Sequence, residues 1–300
     1  MLEGFERQDV DVAGTRIHAA VGGDGPPVLL LHGYPQSHVM WHRVAPRLAD
    51  RHTVVLADLR GYGDSSRPAS VPDHASYSKR AMAADQVALM RHLGFETFAL
   101  VGHDRGARVA HRLCLDRPEV VSRVALLDIV PTRHVFSHVD RALAQAYYHW
   151  FFLSQDEDLP EHLIGADPGF WVRRKLAQWS GAAGIDAFAP EAVEEYVRCF
   201  SDRSVIRASC EDYRAGASID LVHDEVDAAA GRRVECPVLV LWGAEGFVGR
   251  AYDVVAVWNR YATDVRGQAL GGGHFLAEEE PDETLAALGD FLTVPGPGDR

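Results

Sequence analysis

The sequence predicts an α/β architecture, a mostly parallel central sheet with helices on both faces and one inserted helical cap. Short apolar runs of strand length, Val28–Leu31, Thr53–Leu56, Phe98–Val101 and Val121–Leu127, are each bounded by turn residues. They alternate with longer stretches of helical periodicity, Val39–Leu48, Lys79–Leu93 and Arg105–Leu115, an alternation that points to parallel strands covered on both sides. From Pro131 to about Ser218 the alternation stops, and the chain is rich in aromatics and helix formers with no convincing strand.

Each element follows from its local pattern. Phe5–Val12 and Arg16–Val21 alternate apolar with polar residues and predict an antiparallel pair ahead of the parallel part. After the helical insertion, Pro237–Leu241 predicts a fifth parallel-type strand, Arg250–Tyr261 a helix, Asp264–Leu270 a last strand, and a closing helix starts near Glu279. Pro295-Gly-Pro-Gly predicts a frayed tail. The division is then a core of residues 1–130 and 219–300 and a cap of residues 131–218. An insertion between two strands of one sheet is expected to cover their carboxyl ends, where open α/β sheets bind ligands.

Composition bounds the function. The 300 residues are 47% apolar and 24% charged, ordinary values for a soluble globular protein. A formal net charge of −13 argues against nucleic acid or an anionic membrane as partner. No apolar run approaches the ~18 residues of a membrane span, and the polar opening lacks a signal-peptide layout, so a cytoplasmic protein is expected. Cys114, Cys199, Cys210 and Cys236 are scattered without disulfide-framework or metal-type spacing. No cofactor or metal is called for.

The chemistry centres on Gly102-His103-Asp104-Arg105-Gly106, between the strand Phe98–Val101 and the helix that follows. It has the form of a nucleophile elbow, G-x-S-x-G, with Asp104 in the serine position; the small flanking residues suit a sharp, strained strand-to-helix turn. The blander reading is a helix-capping aspartate in a Gly-flanked turn. Three further pieces favour the elbow. His32-Gly33-Tyr34-Pro35 follows a strand where a loop would supply a backbone N–H to an oxyanion hole, formed by Tyr34 and Arg105. Asp58-Leu-Arg-Gly-Tyr-Gly-Asp-Ser65 follows the next strand. His274 follows the last strand in Gly271-Gly-Gly-His-Phe275, whose glycines let the loop carry an imidazole over position 104. For the acid that orients His274, Asp128 at the end of Val121–Leu127 is the better candidate; Glu245, near the site after Val238–Leu241, is the other.

An aspartate nucleophile suits displacement at saturated carbon, which leaves an ester that water can cleave. Carbon–halogen bonds and epoxides are the two substrate classes. Arg105 follows the nucleophile directly and Arg108 lies one helical turn from it, and two guanidiniums there call for an anion, most simply a carboxylate. Tyr147-Tyr-His-Trp-Phe-Phe152 reads on its own as the buried face of a cap helix; Trp179 is a further aromatic of the insertion that either packs or lines the pocket, packing being the commoner role.

These motifs resemble the Asp-nucleophile branch of the α/β-hydrolases along nearly the whole chain, and within it the fluoroacetate (haloacetate) dehalogenases. Asp104-Arg105, Arg108, Asp128, the pair His149-Trp150, Tyr213 and His274 agree with that family. The resemblance implies an α/β-hydrolase fold, hydrolysis of a haloacetate (above all fluoroacetate) to glycolate and halide, and a homodimer. It implies that Arg105 and Arg108 clamp the substrate carboxylate while His149, Trp150 and Tyr213 receive the halide. Two other readings stand beside it: an epoxide hydrolase in which Tyr148 and Tyr213 activate the ring oxygen, and a non-catalytic ligand-binding member of the fold.

Overall fold

A computed structural model describes residues 1–12, 14–156 and 158–293. Eight strands form one sheet in the order β1-β2-β4-β3-β5-β6-β7-β8. They are β1 Glu6–Val12, β2 Thr15–Gly22, β3 Pro27–Leu31, β4 Thr53–Ala57, β5 Phe98–His103, β6 Val121–Leu127, β7 Val238–Gly243 and β8 Val265–Leu270. β2 runs antiparallel to both β1 and β4, and all other neighbours are parallel. The central strands β3, β5 and β6 are buried along almost their whole length. Helices cover both faces, which is why these strands read as continuous apolar runs rather than alternating ones.

This topology brings the chemistry-bearing loops to one edge. His103 is in register with Leu127, and Leu127 with Leu241, so the residues just past the ends of β5, β6 and β7 are neighbours. Asp104, Asp128 and the loop after Gly243 therefore meet there, joined by the loop after β8 that carries His274.

The helices Lys79–His92 and Arg105–Asp116 match the sequence pattern closely. Two expected helices are each split. The stretch expected as Val39–Leu48 is a 3₁₀ turn, His38–Trp41, and a short helix, Ala45–Leu48. Pro46 lies in the first turn of the second piece; its ring has no N–H to offer and crowds the carbonyl four residues back, so one continuous helix cannot form. The stretch expected as Arg250–Tyr261 becomes Phe247–Ala251 and Val254–Trp258, divided where the Asp253 side chain accepts from Ala256 N at 3.0 Å and caps a new helix. The closing helix runs Pro281–Thr293, close to its expected start, and a short unexpected helix, Leu276–Glu279, precedes it.

Between β6 and β7 the described residues form helices and turns only, from Thr132–Phe136 to Ile219–Ala229. The expected tail at Pro295 lies outside the described residues.

Candidate active site

The turn after β5 is strained as the pentapeptide requires. Asp104 has φ 46° and ψ −113°, a region that non-glycine residues rarely occupy. The helix behind it packs so closely on β3 that a Cβ on Gly106 would lie 2.4 Å from His32 O. Asp104 stands at the N-terminus of Arg105–Asp116, where backbone N–H groups and the helix dipole favour a carboxylate. Its Oδ2 accepts from Tyr34 N at 2.9 Å, so the loop after β3 supplies one expected oxyanion donor. Arg105 N, the other, lies in the first turn of the helix but makes no hydrogen bond to Asp104 in this state.

His274 Nδ1 lies 2.6 Å from Asp128 Oδ2, and Asp128 Oδ1 accepts from Gly243 N at 3.0 Å. Asp128, not Glu245, orients the imidazole. Glu245 Oε2 instead accepts from Ala182 N at 2.7 Å, tying the loop after β7 to the inserted segment. The His274 backbone N–H donates to Trp179 O at 2.9 Å, so the inserted segment also fixes the backbone of this loop.

Electrostatics separate the two groups. Burial alone would raise the Asp104 pKa, but His274, Arg108 and Arg105 outweigh it and hold the carboxyl below its usual range. Burial would lower the His274 pKa, but the Asp128 hydrogen bond and charge, with the charge of Asp104, hold it above its usual value. Burial and the neighbouring His274 push His103 down to about 3, so it is a neutral wall residue, with its Nε2 on His274 O at 2.8 Å.

Both arginines point inward; Arg105 is 1% exposed and Arg108 4%. They are held differently. Arg105 Nε and Nη2 grip the Asp212 carboxylate at 2.7 and 2.8 Å, and Nη2 also donates to Asp212 O at 2.7 Å. Only Nη1 is left without a described partner. Its guanidinium lies over the Tyr213 ring at 4.1 Å. Arg108 Nη1 donates to Val130 O and Thr132 Oγ1 at 3.1 and 3.0 Å, its Nε is buried with no partner among the described residues, and its guanidinium lies over Trp150 at 4.5 Å. The two guanidiniums are thus not an equivalent free pair. One is anchored with one edge to spare, and the other keeps an unmet donor.

A cavity of about 310 Å³ opens over the elbow, with Asp104, Asp128, His149, Trp150, Trp179 and His274 in its wall. Arg105, Arg108 and Tyr213 do not line it; they enclose the elbow behind the aromatic layer. His149 joins the two zones, with ring centroids 4.4 Å from Trp179 and 5.8 Å from Tyr213. His149 Nδ1, Tyr213 Oη and Trp179 Nε1 are buried without a described partner. Buried polar atoms left unmet in this way require an explanation. Tyr148 of the epoxide reading does not line the cavity; its Oη accepts from Lys175 Nζ at 2.6 Å.

Asp212 was not singled out from the sequence, although its place beside Tyr213 was a signal. Trp179, for which packing and pocket lining both stood open, is a cavity wall with an unmet indole N–H and a backbone tie to His274.

Comparison with known proteins agrees with this geometry. Residues 26–281 match the alpha/beta hydrolase fold family. A fluoroacetate dehalogenase from Burkholderia sp. is 51% identical over 98% of this chain and 95% of its own. A soluble epoxide hydrolase from Corynebacterium sp. (strain C12) is 35% identical over 90% of this chain and 91% of its own. A crystal structure from Nostoc sp. PCC 7120, provisionally described as an alpha/beta hydrolase, superposes with a TM-score of 0.96 at 57% identity, covering 98% of this chain and all of that one.

Proposed function

The chain belongs to the alpha/beta hydrolase family, in its fluoroacetate dehalogenase branch, and from that premise we propose that it hydrolyses a haloacetate, fluoroacetate above all, to glycolate and halide through an ester on Asp104. The observation that carries this reading is a buried, ionised carboxylate on a strained elbow beside an arginine whose Nε has no partner. A carboxylate nucleophile beside unmet cationic donors fits a substrate that is itself an anion. The greater identity to the dehalogenase than to the epoxide hydrolase, and the engagement of Tyr148 by Lys175, weigh against epoxide opening.

The substrate carboxylate is held by Arg105 Nη1 and by Arg108 Nε. Asp104 Oδ1 attacks the α-carbon in line with the carbon–halogen bond; the new C–O bond forms as the halide leaves with the bonding pair. His149, Trp150 and Tyr213 receive the halide, replacing its water shell with convergent donors. In the ester, Oδ2 becomes the carbonyl oxygen already held by Tyr34 N–H. Water attacks Asp104 Cγ and gives its proton to His274, and Asp128 stabilises the imidazolium. Tyr34 N–H and Arg105 N–H hold the oxyanion, glycolate leaves with a proton returned by His274, and Asp104, left as the neutral acid with the second water hydrogen, loses that proton to solvent and is restored as a carboxylate.

The helices of residues 131–218 are taken as a cap over this chemistry; the ties from Trp179 O to His274 N and from Ala182 N to Glu245 support that. The enzyme is read as a cytoplasmic homodimer. Four unpaired cysteines suit a reducing compartment, and the family resemblance supports the dimer.

The test is His274→Asn. Given fluoroacetate, this variant is expected to release one equivalent of fluoride and to retain a carboxymethyl ester on Asp104, seen by intact-protein and peptide mass. Fluoride release with no adduct overturns the covalent route.

A further inference from the structure

Lys175 lies in the helix Pro168–Trp179 with a side chain that is 0% exposed. No carboxylate stands within salt-bridge distance of it among the described residues. Its Nζ donates to Tyr148 Oη at 2.6 Å and reaches Gln178 Oε1 at 3.4 Å. Around these it faces rings, with the centroids of Tyr148, Trp171 and Trp179 at 3.9, 4.7 and 5.1 Å. Trp171, Lys175 and Trp179 follow at intervals of four and so share one helix face. A buried ammonium with only neutral partners is costly, and burial, with the charge of Arg174, pushes the amine down to about 7. Such an arrangement persists where an anion arrives to complete it.

The nearest place for that anion is at His149. It follows Tyr148 in the chain, and its ring packs 4.4 Å from the Trp179 ring that also borders Lys175. His149 Nδ1 and Trp179 Nε1 are both buried without partners. After burial itself, the Lys175 charge is the strongest influence keeping His149 neutral, ahead of His274, Arg105 and Arg108. Any anion at His149 feels the same field with the opposite, favourable sign.

We propose that Lys175 is a positioning residue of the halide site: its ammonium, lacking a counter-ion among the described residues, stabilises the departing halide through the His149–Trp179 wall. This rests on the dehalogenase reading. The benefit is greatest for the leaving group that carries most localised charge, so fluoride gains more than bromide.

The test compares Lys175→Met and Lys175→Arg with the wild type on fluoroacetate and bromoacetate, following halide release and inhibition by added bromide. Lys175→Met removes the charge at similar length. It is expected to lower kcat on fluoroacetate by roughly tenfold more than on bromoacetate and to weaken bromide inhibition by a similar factor, with Lys175→Arg restoring part of each. A fluoro-to-bromo ratio and bromide inhibition equal to those of the wild type in a folded Lys175→Met overturn the proposal. So does an equal fall on both substrates, which is what a packing role alone gives. Should the methionine variant not fold, Lys175→Gln is judged by the same ratio. Wild-type protein that releases no halide from either substrate is a different failure, that of the dehalogenase reading itself.

Discussion

Replacing Asp212 by asparagine isolates the anchoring of Arg105. Asp212 is fully buried and accepts from Arg105 Nε and Nη2, Tyr62 Oη and Lys79 Nζ. Burial would raise its pKa, but Arg105 and Lys79 reverse that and hold it far below the usual carboxylate range. Asparagine keeps the volume, removes the charge, and offers one oxygen where two were needed; its amide donors face the donors of Arg105. Arg105 then loses its counter-charge while Lys79 keeps Asp220 at 3.5 Å, and breaking the buried Arg105 pair costs about 3–5 kcal/mol by the usual effect. That is a large share of the ~5–15 kcal/mol that holds a typical domain folded. It is also lost from wild type in acid: a depressed carboxyl stabilises above its unfolded pKa, and that contribution fades as pH falls through the folded value.

The functional loss is separate and smaller. An Arg105 free to rotate loses one charge-assisted contact to the substrate carboxylate, worth about 1.5–3 kcal/mol, or roughly 10- to 100-fold in kcat/KM. The fall should appear chiefly in KM, because the contact is made before carbon–halogen cleavage as well as during it. Urea melts give the stability change, and fluoride release from fluoroacetate gives the kinetics. Fluoroacetamide, which has no carboxylate, serves as the internal control. Its kcat/KM should change by less than about threefold, since Arg105 has no anion to hold there. A destabilised Asp212→Asn with wild-type KM for fluoroacetate would show that Arg105 is a structural ion pair and not a substrate clamp.

Two further outcomes are expected. His274 must be neutral to take a proton from water, and the Asp128 hydrogen bond and charge raise its pKa, so ester breakdown should accelerate as pH climbs through the His274 pKa, and in Asp128→Asn that limb should move to lower pH. The first-turnover burst of halide needs only ionised Asp104 and should stay flat over the same range; quench-flow separates the two. Gly33→Ala places a Cβ 2.5 Å from Asp104 Cβ and 2.8 Å from its Oδ2, so the burst should fall by more than about 100-fold through misplacement of the nucleophile while circular dichroism stays native. A burst of normal rate in that variant would mean the elbow tolerates displacement.

The sheet and the elbow could be read from the chain because their signals are local. Parallel strands buried on both faces leave unbroken apolar runs, and a strained turn at Asp104 leaves its mark in the glycines beside it. The roles of charged side chains inside the inserted helices could not be read the same way. Helical periodicity treats Asp212 and Lys175 as solvated positions, yet both are fully buried, because their partners, Arg105 and Tyr148, come from other elements. Some signal was present: Trp171, Lys175 and Trp179 at intervals of four already put a cation between two indoles. Helix ends were misjudged where one residue overrode the pattern, as Pro46 and Asp253 do.

A net charge of −13 opposes a substrate that is itself an anion, and the buried charges answer that difficulty. Asp212 neutralises Arg105 and in doing so fixes its free edge; Asp128 takes up the charge on His274. Among the described residues Arg108 has no carboxylate partner but Asp104 nearby, and its Nε has no hydrogen-bond partner. A haloacid entering beside Asp104 meets that donor. A neutral haloalkane of the same size leaves it unmet in a desolvated site, at a penalty of about 1–3 kcal/mol, enough for roughly 10- to 100-fold preference. Selectivity for the acid is therefore expected to arise from what the neutral compound fails to satisfy and to act at short range, where the repulsive field of the distant surface carboxylates is screened within about 10 Å by salt.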